Sequence, residues 1–126
     1  MKKNGKKILI IEDEPSLREA LNDKFSQEGF EVEQAPDGEL GLSLALGTKP
    51  DLILLDIIMP KLDGISMLEQ LREDERGKHI PVIILTNLSD NEKLAKAMEL
   101  GSHDYLVKTD WKLEDVVKKV KEKIGL

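Results

Sequence analysis

Apolar runs of strand length alternate with helix-period segments five times along the chain. Lys7 to Ile11 predicts a first strand. Pro15 suits the first turn of a helix, where its missing N–H has no bond to lose, and Leu17, Ala20, Leu21 and Phe25 then recur at the spacing of a buried helical stripe. After Gly29, Glu31 to Ala35 alternates charged and apolar residues like a half-buried edge strand. Asp37 is placed to N-cap a second helix whose apolar content is Leu40, Leu42, Leu44 and Ala45, with Gly47 as its expected end. Leu52 to Leu55 is apolar without a break, as a central parallel strand covered on both faces requires. Pro60 and Gly64 mark the loop behind it, and Ile65, Leu68 and Leu71 support a third helix. Pro81 opens the strand Val82 to Leu85, and Ser89 with Glu92 forms a capping-box pattern for a fourth helix that Gly101 closes. Tyr105 to Val107 is a short fifth strand, and Val116, Val117, Val120 and Ile124 line a final helix. Five βα units predict an α/β doubly wound parallel sheet, because crossover connections are right-handed.

Composition narrows the class. The 126 residues suit one domain, with residues 1–6 as a basic arm before the first strand. That arm is not expected to be a secretion signal, because the apolar stretch after it ends at Glu12 and Asp13. No run is long enough to span a membrane, and the absence of Cys removes disulfides and Cys-based zinc sites. A net charge of −6 argues against a nucleic-acid partner, which demands a clustered basic face. The lysines of the last helix (Lys112, Lys118, Lys119, Lys121, Lys123) are interleaved with Glu114, Asp115 and Glu122, as on an ordinary solvated face. A cytoplasmic chain is expected.

Candidate chemistry sits where the strands run out. Glu12 and Asp13 end the first strand, Asp56 the third, Thr86 the fourth and Lys108 the fifth. In an open parallel sheet these ends converge on one edge, and ligands bind there. Each residue alone has an ordinary meaning: an acid or Thr86 as a helix cap, Lys108 as a surface lysine, Tyr105 as a packed strand aromatic. His79 and His103 have no metal-ligand spacing, and Trp111 is expected to anchor the last helix. Joint placement at four strand ends is what points to a site. Three crowded carboxylates repel one another unless a cation joins them, and oxygen-only ligands suit Mg²⁺. A carboxylate is also a nucleophile towards phosphorus, while a metal, an ammonium and a hydroxyl stabilise the charge on the three transferred oxygens.

Ile8-Leu9-Ile10-Ile11-Glu12-Asp13-Glu14, Leu54-Leu55-Asp56-Ile57-Ile58-Met59-Pro60-Lys61-Leu62-Asp63-Gly64, Ile83-Ile84-Leu85-Thr86 and Asp104-Tyr105-Leu106-Val107-Lys108 resemble the receiver domains of two-component response regulators over essentially the whole chain. The resemblance implies a flavodoxin-like sheet of order 2-1-3-4-5 with five helices. It implies that Asp56 accepts the phosphoryl group, and that Glu12, Asp13, Asp56 and the Ile58 backbone carbonyl hold Mg²⁺. Thr86 would be the switch hydroxyl, Tyr105 the coupled aromatic and Lys108 the phosphoryl-binding ammonium. The donor would be a histidine kinase or histidine phosphotransfer protein. The downstream protein would meet the face of the fourth helix, fifth strand and fifth helix. On this reading the chain is a signalling domain that catalyses only its own phosphorylation and dephosphorylation.

Three positions depart from the pattern: Thr109 stands where Pro is usual, Asn87 where a small residue is usual, and Leu88 where a polar one is common. A non-proline cis bond costs about 3–4 kcal/mol, so Lys108–Thr109 is expected to be trans. Ile58 and Leu88 offer no group to orient a hydrolytic water, which predicts a long-lived acyl phosphate. A phosphohydrolase of the haloacid dehalogenase type would want a second Asp two residues after the nucleophile, where Ile58 stands. A flavodoxin-like cofactor binder would be repelled by Glu12-Asp13-Glu14. The end Lys123-Ile124-Gly125-Leu126 shows no linker, so a stand-alone regulator is expected ahead of a receiver fragment of a longer DNA-binding regulator.

Overall fold

Strands β1 (Lys7–Ile11), β2 (Glu31–Ala35), β3 (Leu52–Asp56), β4 (Val82–Thr86) and β5 (Asp104–Val107) alternate with helices α1 (Pro15–Gln27), α2 (Gly38–Thr48), α3 (Gly64–Glu73), α4 (Asn91–Glu99) and α5 (Leu113–Ile124). The computed structural model describes residues 3–59, 61–86, 91–102, 104–108 and 111–126. The strands form one sheet of order β2-β1-β3-β4-β5, and each neighbouring pair is parallel. The expected flavodoxin-like topology is therefore the observed one, with β2 on an edge.

The strand pleat explains the two cores. Within the unbroken apolar runs, successive side chains go to opposite faces. Leu9, Ile11, Ile53, Leu55, Val82 and Ile84 pack with Met67, Leu68 and Leu71 of α3 and Ala45 of α2. Ile8, Ile10, Leu52, Leu54, Ile83 and Leu85 pack on the other side with Leu21 and Phe25 of α1 and Val116, Val117 and Val120 of α5. Trp111 and Ile124 join that second core, as expected of residues that seat the last helix. In the central strands, covered on both faces, polar side chains find room only where the strand ends.

The two ends of the sheet are unequally packed. All five residues of β3 and of β4 are buried, whereas β5 has none fully buried and Ala97 is the buried residue of α4. Opposite them, Lys24 and Lys121 both pair with Glu28, and Lys24 also with Glu114, tying α1 to α5.

Two local expectations change. Helix α2 continues past Gly47 to Thr48, and Lys49 closes it in the left-handed region (φ 48°), with its N–H donating to the Ala45 carbonyl. Thr48 Oγ1 also donates to Leu44 O, which lets the helix run one residue beyond the glycine. The inward face of α2 is Gly38, Gly41 and Ala45, while Leu40 is exposed. In a helix with leucine on most sides, periodicity does not choose the packed face. Asp37 caps α2 as expected, accepting from the Leu40 N–H at 2.9 Å. Asn4, ahead of β1, is tied to the body of the domain: its N–H donates to Gly29 O at 3.0 Å. Ser89, His103, the rim residues Asn87 and Leu88, and the Lys108–Thr109 bond lie outside the described residues.

Phe25 is fully buried, its ring edge-on to Phe30 with centroids 5.3 Å apart. Phe25→Ala should lower unfolding free energy by about 3–5 kcal/mol, through lost transfer energy and the cavity left behind. Urea denaturation followed by circular dichroism measures it.

Candidate functional site

Strand register sets the site. Ile11 pairs with Leu55, so Glu12 and Asp56 follow one another across neighbouring strands. Asp56 pairs with Leu85 and Thr86 with Val107, which carries the line on to Thr86 and Lys108. The backbone continues to pair beyond the strands: the Glu12 N–H donates to Ala35 O at 3.1 Å and the Lys108 N–H to Thr86 O at 2.7 Å.

One oxygen from each of Glu12, Asp13 and Asp56 lies within 4.8 Å of the others. Glu12 is 0% exposed and Asp56 4%, while Asp13 faces solvent. Lys108 Nζ stands 2.9 Å from Glu12 Oε1 and 3.1 Å from Asp56 Oδ2. The other Asp56 oxygen accepts from the Ile58 N–H at 3.3 Å, and Glu12 Oε2 from the Glu14 N–H at 3.2 Å. Among the described residues no well-aligned hydrogen bond reaches Glu12 Oε1, so the ammonium is its compensation.

Two buried carboxylates share one cation, and the electrostatics follow. Burial, with the neighbouring Glu12 charge and hydrogen bond adding to it, pushes the Asp56 carboxyl up to about 7, and Lys108 only partly opposes this. Burial acts to lower the Lys108 ammonium, but its contacts with Glu12 and Asp56 outweigh that and hold it above the usual lysine value. The site is short of positive charge.

A divalent cation fits this donor set. Three carboxylates converge, one of their buried oxygens lacks a well-aligned donor, and the ligands are oxygens, as Mg²⁺ prefers. Glu12, Asp13 and Asp56 are the side chains that would hold it.

The other expected residues are distributed unequally. Thr86 is 2% exposed at the end of β4, next to the acids. Tyr105 is 40% exposed on β5, paired with Ile84 of β4. The Ile58 side chain is 49% exposed, on the rim. Arg18 and Asp37 were not expected here. Arg18 Nη1 donates to the Glu12 carbonyl at 2.8 Å and fixes the end of β1 from α1. Asp37 pairs with Lys61 of the β3–α3 loop at 3.6 Å. The Asp37-Gly38 pair reads as an ordinary helix cap, and nothing in the sequence marks Arg18.

Fold and site together define a flavodoxin-like signalling class with an acidic, lysine-bearing carboxyl edge. The response regulator receiver domain model matches residues 8–121, and the chain belongs to that family, the receivers of two-component systems. It is 40% identical over 102 residues to the DNA-binding dual master transcriptional regulator RpaA of Synechocystis, covering 81% of this chain and 42% of that protein. To the alkaline phosphatase synthesis regulatory protein PhoP of Bacillus subtilis it is 40% identical over 104 residues, 82% of this chain and 42% of the relative. The chain thus spans about two fifths of the length of these relatives. Among solved structures, the receiver domain of sensor histidine kinase PA1611 from Pseudomonas aeruginosa has a TM-score of 0.86 at 30% identity, covering 97% of this chain and 99% of that one. That structure has magnesium coordinated in its active-site cleft. The chemotaxis response regulator CheY4 of Vibrio cholerae superposes with a TM-score of 0.84 at 27% identity, over 97% and 98% of the two chains.

The raised Asp56 value has a consequence for stability. Between about pH 4 and 7 the folded state holds a proton that the unfolded state has lost, so stability falls as pH rises through this window. In EDTA, Asp56→Asn should therefore be more stable than wild type at pH 8, by on the order of 1–3 kcal/mol once the weakened Lys108 pairing is discounted. The gap should close towards pH 4. Paired thermal melts across that range check it, and equal melting temperatures at pH 8 would contradict it.

Proposed function

We propose that the chain is a phosphoacceptor switch in which Asp56 takes a phosphoryl group from a histidine kinase or histidine phosphotransfer protein. The observation that carries this reading is the buried Glu12–Lys108–Asp56 cluster, with Asp13 beside it. One Asp56 oxygen forms a bond to phosphorus as the bond from phosphorus to the donor's imidazole nitrogen breaks, the electron pair leaving with the imidazole. Lys108, already 3.1 Å from Asp56, meets the negative charge that arrives with the group. Mg²⁺ held by Glu12, Asp13, Asp56 and the Ile58 carbonyl would favour the ionised Asp56 and neutralise charge on the transferred oxygens.

After transfer, Asp56 carries a group of roughly −1.5 to −2 charge in place of a single carboxylate. Thr86, buried at the adjacent strand end, is the hydroxyl that turns towards it. Tyr105, 40% exposed, is the aromatic that follows into the space vacated. The downstream partner meets α4, β5 and α5. The sparse packing of α4 and β5 supports this, because elements with few buried contacts are those that move at low cost. The domain works in the cytoplasm; among the described residues no helix is long and apolar enough to cross a membrane.

A second reading has its own observation. RpaA and PhoP are described as transcriptional regulators and are more than twice as long as the matched region. The chain would then be the receiver of a longer DNA-binding regulator, and a reading frame continuing past Leu126 would favour it.

Acetyl phosphate with Mg²⁺ should add one phosphoryl mass to the intact protein. EDTA and Asp56→Asn should each abolish the gain; an Asp56→Asn protein that still gains it would remove Asp56 as the acceptor. A phosphoryl mimic at Asp56 should also alter amide exchange across α4, β5 and α5. Change confined to the Asp56 cleft would count against the switch face.

A further inference from the structure

Outside the acidic cluster, the tightest backbone approach near the site lies between α2 and the loop that follows Asp56. Gly38, the first residue of α2, is buried against Leu62. A Cβ at position 38 would lie 1.9 Å from the Leu62 carbonyl oxygen and 2.8 Å from its carbon. The obstructing atoms are backbone, so no side-chain rotamer relieves the clash; the loop itself would have to retreat by about 1.5 Å to reach van der Waals distance.

The loop has little room to do so. At its far end the Gly64 N–H donates to Ile57 O at 2.7 Å, and a Cβ at Gly64 would stand 2.4 Å from Asp56 O. At Lys61 the backbone is left-handed (φ 65°), and the ammonium pairs with Asp37 Oδ2 at 3.6 Å. The other Asp37 oxygen caps α2 through Leu40 N–H. The same loop carries Ile58, whose N–H reaches Asp56 Oδ1. Displacement at Leu62 is therefore passed along a short segment whose ends are fixed.

We propose that Gly38 is a positioning residue for the acceptor site: by letting α2 close on the Leu62 carbonyl, it fixes the β3–α3 loop and so sets the affinity of the site for Mg²⁺. This rests on reading Glu12, Asp13, Asp56 and the Ile58 carbonyl as the Mg²⁺ ligands. Gly38 touches none of them and acts through backbone placement alone, in the way outer-shell groups commonly tune a metal site by tenfold or more.

Calorimetric titration of the whole chain with Mg²⁺ tests it, comparing wild type, Gly38→Ala and Gly77→Ala. Gly77 is a second crowded glycine, with a Cβ placed 2.4 Å from Leu71 Cδ1 and 2.7 Å from Leu71 O, but it lies in the turn between α3 and β4, away from Asp56. Gly38→Ala should bind Mg²⁺ about tenfold more weakly, and Gly77→Ala within about twofold of wild type. With acetyl phosphate, Gly38→Ala should need about tenfold more Mg²⁺ for half-maximal phosphorylation, while its rate at saturating Mg²⁺ stays within about twofold. Unchanged Mg²⁺ affinity in Gly38→Ala, or an equal loss in Gly77→Ala, would overturn the proposal. Absence of Mg²⁺ binding by the wild type would instead overturn the site reading beneath it. If Gly38→Ala does not fold, the wild type decides: amides 38–41 should gain exchange protection when Mg²⁺ binds, and unchanged protection there refutes the coupling.

Discussion

Lys108 stands about 3 Å from two buried carboxylates, one just past the end of β1 and one on β3, and the arrangement of the carboxyl edge depends on that sharing. One ammonium does not balance Glu12 and Asp56 together. Transferring an unpaired charge out of water costs several kcal/mol, so the remaining imbalance appears as the raised Asp56 carboxyl. The strands on either side leave no easy escape, since their apolar runs are buried on both faces and fix the strand ends in register. The edge is thus built to receive positive charge, and the fold holds the deficit in place. A protein whose net stability is of order 5–15 kcal/mol carries such a cost only if the surrounding core is good.

The supply of that stability is uneven across the sheet. On the α1–α5 side, Phe25, Leu21, Val116 and Val120 are fully buried and a Lys–Glu network crosses between the helices. On the far side, α4 buries Ala97 and β5 buries no residue completely. A perturbation at Asp56 meets stiff packing towards β1 and weak packing towards β5. Thr86 lies between the two regimes, buried on the last fully covered strand and bonded through its carbonyl to the Lys108 N–H. On the proposed reading, a change of charge at Asp56 would meet least resistance towards β5, as a matter of packing density.

Strand positions and the site acids were legible in the sequence for one reason: an apolar run buried on both faces ends where the first polar or charged residue appears. Lys7–Ile11, Leu52–Asp56 and Val82–Thr86 obey this, and their last or next residues are Glu12, Asp56 and Thr86. Parity within those runs was not legible, because Ile10 and Ile11 look alike yet enter different cores. Helix α2 misled in a related way. Its leucines surround the axis, and the packed face is marked by the small residues Gly38, Gly41 and Ala45. The cap at Asp37 was readable from residue type alone, whereas its ion pair to Lys61 joins segments that only the tertiary fold brings together.

The same distinction separates the residues proposed to perform the chemistry from those proposed to shape it. Glu12, Asp13, Asp56 and Lys108 carry charge, so their kind and position announce a role. Gly38 contributes only the absence of a side chain, and that absence matters because a carbonyl 24 residues further along the chain occupies the space. Arg18 works from outside the charged set too, its guanidinium donating from α1 to the Glu12 carbonyl. Placing an acid at a strand end takes one residue in a pattern. Bringing one of its oxygens within 4.8 Å of one from each of two other acids depends on strands and loops that meet only once the chain has folded.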